Sequence, residues 1–281
     1  MFNDGGFLRD TIYKSIVTRL RAAGCVFAEE ETQLLISVAE TPDALDAMVD
    51  ERAAGLPLEH VIGWAEFCGI QIAVNQGVFV PRRRTEFLVR QAAALAKQGA
   101  IVLDLCCGTG AVGAVLAAAL KGIELYASDI DQAAVRCARR NITSAGGLVY
   151  EGDLFEPLPA KLIGRVDVLV ANAPYVPTEM IERLPSEARK YEARVALDGG
   201  PDGLDVQRRV AAEASRWLSP GGHLLIETSE RQAVQTVEVF ARNGLIPQVS
   251  SDDDLDATVV IGRKTPSIRA DTLDSPDPDR K

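Results

Sequence analysis

The chain has few histidines and cysteines, the side chains that usually bind zinc. Its 281 residues include only two histidines, and His60 and His223 lie far apart in the sequence. The five cysteines are scattered and make no zinc-ligand spacing with either histidine; they are Cys25, Cys68, Cys106, Cys107 and Cys137. We therefore expect no metal site. An odd number of dispersed thiols is typical of a reducing compartment, so we expect a cytoplasmic protein without disulfides.

Long apolar runs and an excess of positive charge are also lacking. No apolar run approaches the roughly 18 residues that a membrane-spanning helix needs, and the opening MFNDGGFLRD has no basic segment before an apolar core. We expect neither a membrane span nor a secretory signal. The formal net charge of −10 argues against binding of long nucleic acid across the whole surface, since phosphate neutralisation dominates such affinity. The net charge does not exclude a local basic patch that binds nucleic acid, and Arg82, Arg83 and Arg84 form such a patch. Three adjacent arginines can equally be a solvent-exposed turn.

The composition that remains is that of an ordinary soluble globular protein, with 47% hydrophobic and 25% charged residues. We expect it to be a monomer. Apolar residues recur at helical spacing in the first part of the chain and predict a helical N-terminal domain over residues 1–62. The helices predicted within it cover residues 7–24, 28–40 and 41–55.

A change of pattern follows this helical region. Short β-type runs flank Asn75-Gln76-Gly77, a hairpin-type turn signal, and predict a β-hairpin linker over residues 63–84. Over residues 85–264 helical and strand patterns alternate, which predicts a mostly parallel sheet with helices on both faces, a doubly wound α/β domain. The predicted strands are AIVLDL, IELYASD, LVYEGD, VDVLVANAP, GHLLIETS and ATVVIGRK. Residues 265–281, rich in Asp, Pro and Ser, predict a disordered tail.

A glycine-rich turn follows the first strand of the α/β region. Gly108, Gly110 and Gly113 satisfy G-x-G-x-x-G, and Asp129 lies about 20 residues further on, as a dinucleotide fingerprint requires. Ligands of open α/β sheets bind at the carboxyl ends of strands, where this turn lies. The glycines alone therefore predict a nucleotide-type cofactor without choosing between the nicotinamide cofactors and others.

Asp104, inside the strand that precedes the turn, favours one cofactor. A carboxylate there would repel a pyrophosphate, but it can accept a hydrogen bond from the amino group of a methionine moiety. The spacing Asp104-x-Cys106-x-Gly108-x-Gly110 is that of S-adenosylmethionine sites. We expect Cys106 and its neighbour Cys107 to fill small-residue positions as compact hydrophobes rather than to act as a redox pair.

Two more acidic strand ends complete the predicted cofactor site. Asp129, followed by Ile130, ends the second strand, where its two oxygens can accept from the ribose hydroxyls. Asp153, followed by Leu154, ends the third strand, where the adenine is expected. Each aspartate alone could be a helix N-cap or a turn residue. Three at successive strand ends favour a shared ligand.

The next strand ends in Asn172, Ala173, Pro174 and Tyr175. An ordinary turn would account for Asn and Pro, but VANAPY resembles the N-P-P-Y signature of amino-group methyltransferases. These include N(6)-adenine enzymes and HemK/PrmC-type protein-glutamine N(5)-methyltransferases. AAGLPLEHVIGWAEFCGIQIAVNQGVFVPRRRTE resembles the HemK/PrmC linker, and YEARVALDGGPDGLD resembles a downstream motif of that family. The likeness covers roughly residues 50–262.

The resemblance implies a class I S-adenosylmethionine-dependent methyltransferase, with a Rossmann-like doubly wound sheet whose last strand is antiparallel. The small helical N-terminal domain would recognise the substrate. The implied reaction is methyl transfer to the side-chain amide nitrogen of a protein glutamine, in this family the Gly-Gly-Gln loop of peptide-chain release factors. The implied catalytic residues are Asn172, Ala173, Pro174 and Tyr175, with Asn172 also at the cofactor. The implied substrate-binding residues are Arg82, Thr85, Glu86 and Glu192.

The chemistry of this motif suits an amide substrate. The side-chain oxygen of Asn172 and the carbonyl of Ala173 can both accept from an incoming NH2 group, and Tyr175 can pack on the flat amide. The chain departs from the family's pattern at Ala173, which replaces the first proline, and at Arg83 and Arg84, which replace Pro and Glu. The segment ETSERQ also lacks a glycine that is usual in the family. These departures predict a divergent member.

Three other functions compete with protein-glutamine methylation. The same cofactor and motif would serve methylation of adenine in nucleic acid or of a small-molecule amine, because an exocyclic amine presents the same donors as an amide. Cys106 and Ala173 also fit a non-catalytic cofactor-binding protein. The glycine fingerprint alone would fit a nicotinamide-dependent dehydrogenase, although no acid or base for hydride transfer accompanies it.

Overall fold

Helices form the first part of the protein. The computed structural model describes residues 4–265, with side chains from residue 10 onward. Its first helices are α1 (Asp4–Ala22), α2 (Ala28–Val38), α3 (Pro42–Ala53) and α4 (Leu58–Ile62). Helix α3 begins where the Oγ1 of Thr41 accepts from the amide of Ala44 at 3.1 Å, an N-cap followed by Pro42 at the first helical position. The tail predicted over residues 265–281 lies outside the described residues, apart from Thr265.

A β-hairpin follows, with its turn at a different place from the one predicted. Strands β1 (Trp64–Phe67) and β2 (Ile70–Ala73) pair antiparallel across Cys68 and Gly69, so the hairpin turn was predicted at the wrong place. The chain also turns at Asn75-Gln76-Gly77, where the amide of Val78 donates to the carbonyl of Asn75 at 3.1 Å, but this turn follows the hairpin. Cys68 and Gly69 both have positive φ, +50° and +74°, as a two-residue turn of type I′ requires. Gly77 instead pairs with Glu192 in an isolated bridge.

The remaining described strands form one seven-stranded sheet in the order β5-β4-β3-β6-β7-β9-β8. Its strands are β3 (Ile101–Leu105), β4 (Glu124–Asp129), β5 (Leu148–Glu151), β6 (Val166–Ala171), β7 (Leu218–Thr228), β8 (Leu245–Asp252) and β9 (Ala257–Lys264). Strands β3 to β7 run parallel, and β9 is antiparallel to its neighbours, as predicted for the last strand. Strand β8 was missed because it lies at the edge of the sheet and contains Pro247, which a central strand would exclude.

Helices cover both faces of this sheet. On one face α5 (Thr85–Leu95), α6 (Ala111–Ala119) and α7 (Gln132–Ile142) pack on Val102, Val168 and Leu225. On the other face α9 (Asp205–Trp217) and α10 (Glu230–Arg242) pack on the alternate strand residues, among them Leu103 and Leu169. Neighbouring residues of a strand point to opposite faces, so both faces of these apolar strands are buried. The predicted doubly wound α/β fold is confirmed.

The strand order brings two motifs to one edge of the sheet. From β3 the chain adds β4 and β5 on one side, and then crosses to add β6 and β7 on the other. The carboxyl ends of β3 and β6 therefore form the topological switch point, where ligands of such sheets bind. Leu105 pairs with Ala171 in register, so the glycine turn and the Asn172–Tyr175 segment begin side by side.

Candidate active site

A cavity of about 500 Å³ opens at the switch point. It is lined by most of the residues predicted from the sequence, from both motifs. Those on the side of β3, β4 and β5 are Asp104, Cys106, Gly108, Asp129, Ile130, Asp153 and Leu154. Those on the side of β6 are Arg82, Thr85, Asn172, Ala173, Pro174 and Tyr175. Three predicted residues, Gly110, Glu86 and Glu192, do not line it.

The glycine turn shapes one wall of the cavity through its backbone conformation. Cys106 and Gly108 have φ values of +54° and +55°, in the left-handed region that an L-residue adopts at a cost of about 1–2 kcal/mol. Gly110 does not line the cavity, but two features favour glycine there: its φ is +75°, and a Cβ would lie 2.7 Å from Cδ1 of Ile142, where α6 packs on α7.

Asp104 is the most buried carboxylate of the cavity, with 2% of its surface exposed. Its Oδ2 accepts from the amide of Gly113 at 3.1 Å, and a Cβ at Gly113 would approach that oxygen to 3.3 Å. Burial raises the pKa of Asp104 to about 7, because the surrounding protein disfavours the charged form. This carboxylate is therefore available to pair with a cationic group that enters the cavity.

The other two acidic strand ends are held by neighbouring donors. Asp129 accepts from the amides of Gly108 at 2.8 Å and of Asp131 at 2.9 Å, one on each oxygen. Burial raises its pKa, and each oxygen keeps a second lone pair for a ligand. Asp153 forms an ion pair with Arg209 at 2.6 Å. The aspartates predicted at the three strand ends thus share one cavity.

The chemistry of this wall fits S-adenosylmethionine better than a dinucleotide. Carboxylates at the ends of β3, β4 and β5 attract a positively charged ligand and would repel a pyrophosphate. Burial also raises the pKa of the thiols of Cys106 and Cys107, so both stay protonated and unreactive. The residues that would hold the cofactor are Asp104, Cys106, Gly108, Asp129, Ile130, Asp153, Leu154 and Asn172.

The amide of Asn172 is oriented by a hydrogen bond to Thr85: its Nδ2 donates to the Oγ1 of Thr85 at 3.3 Å. The Oδ1 of Asn172 therefore points the other way, and within residues 4–265 no protein donor binds it. The hydroxyl of Thr85 also lowers the pKa of Glu227, which is 1% exposed at the end of β7.

Glu227 also contacts the tyrosine of the motif. The hydroxyl of Tyr175 donates to its Oε1 at 3.4 Å, and Nε of Arg84 lies 3.5 Å from the same oxygen. The guanidinium of Arg84 also lies 5.8 Å from the centre of the Tyr175 ring, a cation–π distance. Glu227 was not predicted as a site residue from the sequence. Its only signal was a glutamate near the end of a buried strand, in GHLLIETS.

The loop of residues 197–203 supports the backbone of the Asn172–Tyr175 motif through hydrogen bonds. The amide of Val176 donates to the carbonyl of Leu197 at 3.0 Å, and that of Gly199 donates back to Val176 at 2.9 Å. The Nε2 of Gln232 donates to the carbonyls of Tyr175 and Asp202, both at 3.0 Å. The glycine-rich segment downstream of the motif, residues 199–203, therefore supports the backbone of Asn172–Tyr175.

The predicted substrate-binding residues divide into two groups. Arg82 and Thr85 line the cavity, and Arg82 pairs with Glu192 at 2.6 Å. Glu192 is buried behind Arg82 and also accepts from the amide of Val80 at 3.2 Å, which makes it a support rather than a lining residue. Glu86 accepts from the amide of Cys68 at 3.2 Å and braces the hairpin turn. The structure does not bring Glu86 or Glu192 to the cavity wall.

The described part of the chain has no grouping of three or more His, Cys, Asp or Glu side chains suited to a metal ion. The same residues include no helix that is both long and apolar enough to cross a membrane. All five cysteines are free thiols.

Known proteins resemble this chain in sequence and in fold. Residues 69–191 match the family described as methyltransferase small domain. A release factor glutamine methyltransferase of Geobacter sulfurreducens is 37% identical over 221 residues, which are 78% of this chain and 77% of that protein. A 4-amino-L-phenylalanine/4-methylamino-L-phenylalanine methyltransferase of Streptomyces pristinaespiralis is 33% identical over 242 residues, 83% of this chain and 82% of that protein.

Among solved structures, a methyltransferase from Pyrococcus furiosus matches with a TM-score of 0.53 at 16% identity, over 78% of this chain and 98% of that chain. This likeness supports the fold alone. The sequence relatives go further, because their identity extends over most of both proteins. They confirm the resemblance to the HemK/PrmC family carried by the linker, VANAPY and YEARVALDGGPDGLD segments. This chain belongs to the HemK/PrmC family of S-adenosylmethionine-dependent methyltransferases.

Proposed function

We propose that this enzyme methylates the side-chain amide nitrogen of a glutamine in a protein, in the Gly-Gly-Gln loop of a peptide-chain release factor. Its membership of a methyltransferase family excludes the dehydrogenase and non-catalytic alternatives. The observation that carries the proposal is the oriented amide of Asn172, whose Oδ1 has no donor among the described residues and which lies beside Ala173 in the cavity wall. The release factor as acceptor is supported by the name of the Geobacter sulfurreducens relative.

The residues of the motif address the main difficulty of the reaction. An amide nitrogen is a poor nucleophile because its lone pair is delocalised into the carbonyl group. Two hydrogen-bond acceptors, the Oδ1 of Asn172 and the carbonyl of Ala173, can bind both N–H groups of the substrate amide. They favour the positive charge that develops on its nitrogen during methyl transfer. When bound, S-adenosylmethionine supplies an electrophilic methyl group on a positively charged sulfur.

Positioning then accounts for most of the rate enhancement that the site can provide. Holding the nitrogen in line with the methyl group is worth up to about 7–11 kcal/mol in well-oriented intramolecular reactions. Tyr175, held through Glu227 and Arg84, can pack on the flat amide and limit its rotation. No general base is needed before methyl transfer, because the nitrogen becomes acidic only when the new bond forms, and its proton then leaves to water.

Mass spectrometry of a release factor incubated with the enzyme and S-adenosylmethionine tests this proposal. We expect a gain in mass of one CH2 group on the glutamine of the Gly-Gly-Gln loop. A release factor with that glutamine replaced by alanine is the control and should gain nothing. Methylation found only on nucleic acid or only on small molecules would contradict the proposal.

A small aromatic amine is a second candidate acceptor. The relative from Streptomyces pristinaespiralis, named for methylation of 4-amino-L-phenylalanine, matches 83% of this chain. An aniline nitrogen presents the same two N–H donors to Asn172 and Ala173 as an amide does. Incubation with 4-amino-L-phenylalanine in place of the release factor distinguishes the two acceptors. Adenine in long nucleic acid is disfavoured by the net charge of −10.

Cofactor binding should depend on pH through Asp104. Burial raises the pKa of this carboxyl to about 7, and only its ionised form attracts the ammonium group of the methionine moiety. Affinity for S-adenosylhomocysteine, measured by calorimetry, should therefore fall as the pH drops below about 7, by up to about tenfold per unit. Asp104→Asn should bind more weakly and lose this slope. An equal slope in both proteins would assign it to another group, such as Asp129.

A further inference from the structure

The acceptor side of the cavity is covered by a segment that comes between β6 and α9. This cover segment, residues 178–196, contains a 3-10 helix (Thr178–Arg183), α8 (Ser186–Tyr191) and a 3-10 turn (Arg194–Ala196). Its cavity-lining residues are Leu184, Pro185, Glu187, Ala188, Val195 and Ala196. They line the same cavity as Asn172, Ala173, Pro174 and Tyr175, so the segment forms part of the wall around the motif.

One buried arginine of the helical N-terminal part connects to this segment. Arg52, at the end of α3 and 7% exposed, pairs with Glu31 through Nε at 2.7 Å and through Nη2 at 3.1 Å. Its remaining nitrogen, Nη1, donates to the carbonyl of Leu56 at 3.0 Å and to Oε1 of Glu187 at 2.6 Å. A single guanidinium thus joins α2, α3 and α8.

The positive charge of Arg52 is neutralised without Glu187. The two-point pair with Glu31 already neutralises the guanidinium in a buried setting. Glu187 adds a second carboxylate whose side chain is 45% exposed and lines the cavity. What this contact provides is a mechanical connection between the helical part of the protein and the cover segment.

Two neutral hydrogen bonds also join the cover segment to the helical part and the linker. The hydroxyl of Tyr191 donates to the carbonyl of Ala54 at 3.2 Å, and the amide of Ala193 donates to the carbonyl of Gly77, also at 3.2 Å. Between them these bonds hold α8 and the residues after it against the end of α3 and the linker. Arg52–Glu187 is the charge-assisted member of the set and the one whose carboxylate faces the cavity.

We propose that Arg52 is a positioning residue: through Glu187 it holds the cover segment over the acceptor side of the cavity, so that the helical N-terminal domain sets the fit of the acceptor. The cofactor side, built on the ends of β3, β4 and β5, does not depend on this contact. The identity of the acceptor in the test rests on the proposed function. The connection itself does not.

Glu187→Gln tests the connection with the least disturbance, because it removes one charge from a half-exposed residue and leaves the buried Arg52–Glu31 pair intact. Hydrogen exchange of residues 186–191 should become about fivefold faster in the variant. The KM for the release factor should rise by about fivefold, with kcat and the Kd of S-adenosylhomocysteine within about twofold of wild type. Glu182→Gln, which removes an exposed ion pair with Arg189 in the same segment, is the matched control and should change neither quantity.

Hydrogen exchange and KM together distinguish the proposed Arg52–Glu187 connection from the proposed function. Unchanged exchange and unchanged KM in Glu187→Gln would overturn the connection, as would equal effects from Glu182→Gln. A rise in the Kd of S-adenosylhomocysteine equal to the rise in KM would also overturn it, because the effect would then be general. If wild-type enzyme fails to methylate the release factor while Glu187→Gln still accelerates exchange, the connection stands and the proposed acceptor is wrong.

Discussion

Asn172→Ala should lower kcat/KM for the acceptor by about 10²–10³, the loss typical of removing one pre-oriented polar partner of a transition state. The Oδ1 of Asn172 is the side-chain amide oxygen that the motif contributes, and the hydrogen bond from Nδ2 of Asn172 to Thr85 orients it. Without it, one N–H of the acceptor amide keeps no partner when positive charge develops on nitrogen. Steady-state kinetics with varied release factor measures the effect.

Two further measurements assign the loss to orientation of the acceptor. Calorimetry with S-adenosylhomocysteine should show a smaller loss of affinity, because Asp104, Asp129 and Asp153 would still hold the cofactor. Thr85→Val removes the hydroxyl that fixes the Asn172 amide and should cost about tenfold, whereas Thr85→Ser keeps the hydroxyl and should cost little. If Asn172→Ala weakened cofactor binding as much as it weakened kcat/KM, the residue would be a cofactor ligand and not an acceptor clamp.

The cofactor side of the site could be predicted because its parts are local in sequence. Asp104, Gly108 and Asp129 each lie at or just beyond the end of a strand whose apolar run is visible in the sequence. Parallel strands place their carboxyl ends at one edge, so separate local signals converge without knowledge of the contacts. The same reasoning brought Asn172 to this edge, next to the glycine turn.

The acceptor side could not be read in the same way because it depends on contacts between distant segments. Glu227 reaches Thr85, Tyr175 and Arg84 only after β7 has been placed beside β6. Glu86 and Glu192 were assigned to substrate by position in a motif, yet their carboxylates turn towards backbone amides of the hairpin and linker. No periodicity in a sequence reports such a choice of partner.

The hairpin shows how two turn signals of similar strength can compete. Asn75-Gln76-Gly77 offered the residue types of a turn, but Cys68-Gly69 gives the pairing that buries both Phe67 and Ile72. Cys68 adopts a positive φ at a cost of about 1–2 kcal/mol, and burial of those side chains offsets it. Both signals form turns, since the amide of Val78 donates to the carbonyl of Asn75 at 3.1 Å, and packing decided which of them joins the paired strands.

The departure from the family at residue 84 has a physical consequence in this chain. Arg84 lies beside the buried carboxylate of Glu227 and over the ring of Tyr175. Burial raises the pKa of Glu227, and Arg84 together with the hydroxyls of Thr85 and Tyr175 opposes that rise. Glutamate at position 84, as in the family's pattern, would bring a second carboxylate near Glu227. Arg84 therefore favours the charged form of Glu227, which is the stronger acceptor for the hydroxyl of Tyr175.

Gly203→Ala should displace the backbone of the Asn172–Tyr175 motif and is the second substitution with a large expected effect. A Cβ at this position would lie 2.3 Å from the carbonyl oxygen of Tyr175 and 2.4 Å from Nε2 of Gln232. The residue also has φ of +78°, which favours glycine. We expect the free energy of unfolding to fall by about 3 kcal/mol, from strain and overpacking together. Urea denaturation measures it.

The activity of Gly203→Ala at a temperature where the variant is folded separates loss of stability from loss of geometry. To admit the new methyl group, the carbonyl of Tyr175 must move and its hydrogen bond from Gln232 must lengthen. A shift passed along the backbone to Asn172 displaces the acceptor clamp, and errors of about 1 Å can cost about 100-fold in rate. Gly122→Ala has a similar φ, +72°, with no atom within 4 Å of the added Cβ, so it carries the conformational strain alone. Gly203→Ala should therefore lose far more activity than Gly122→Ala; equal losses would mean that the glycine-rich loop does not support the motif.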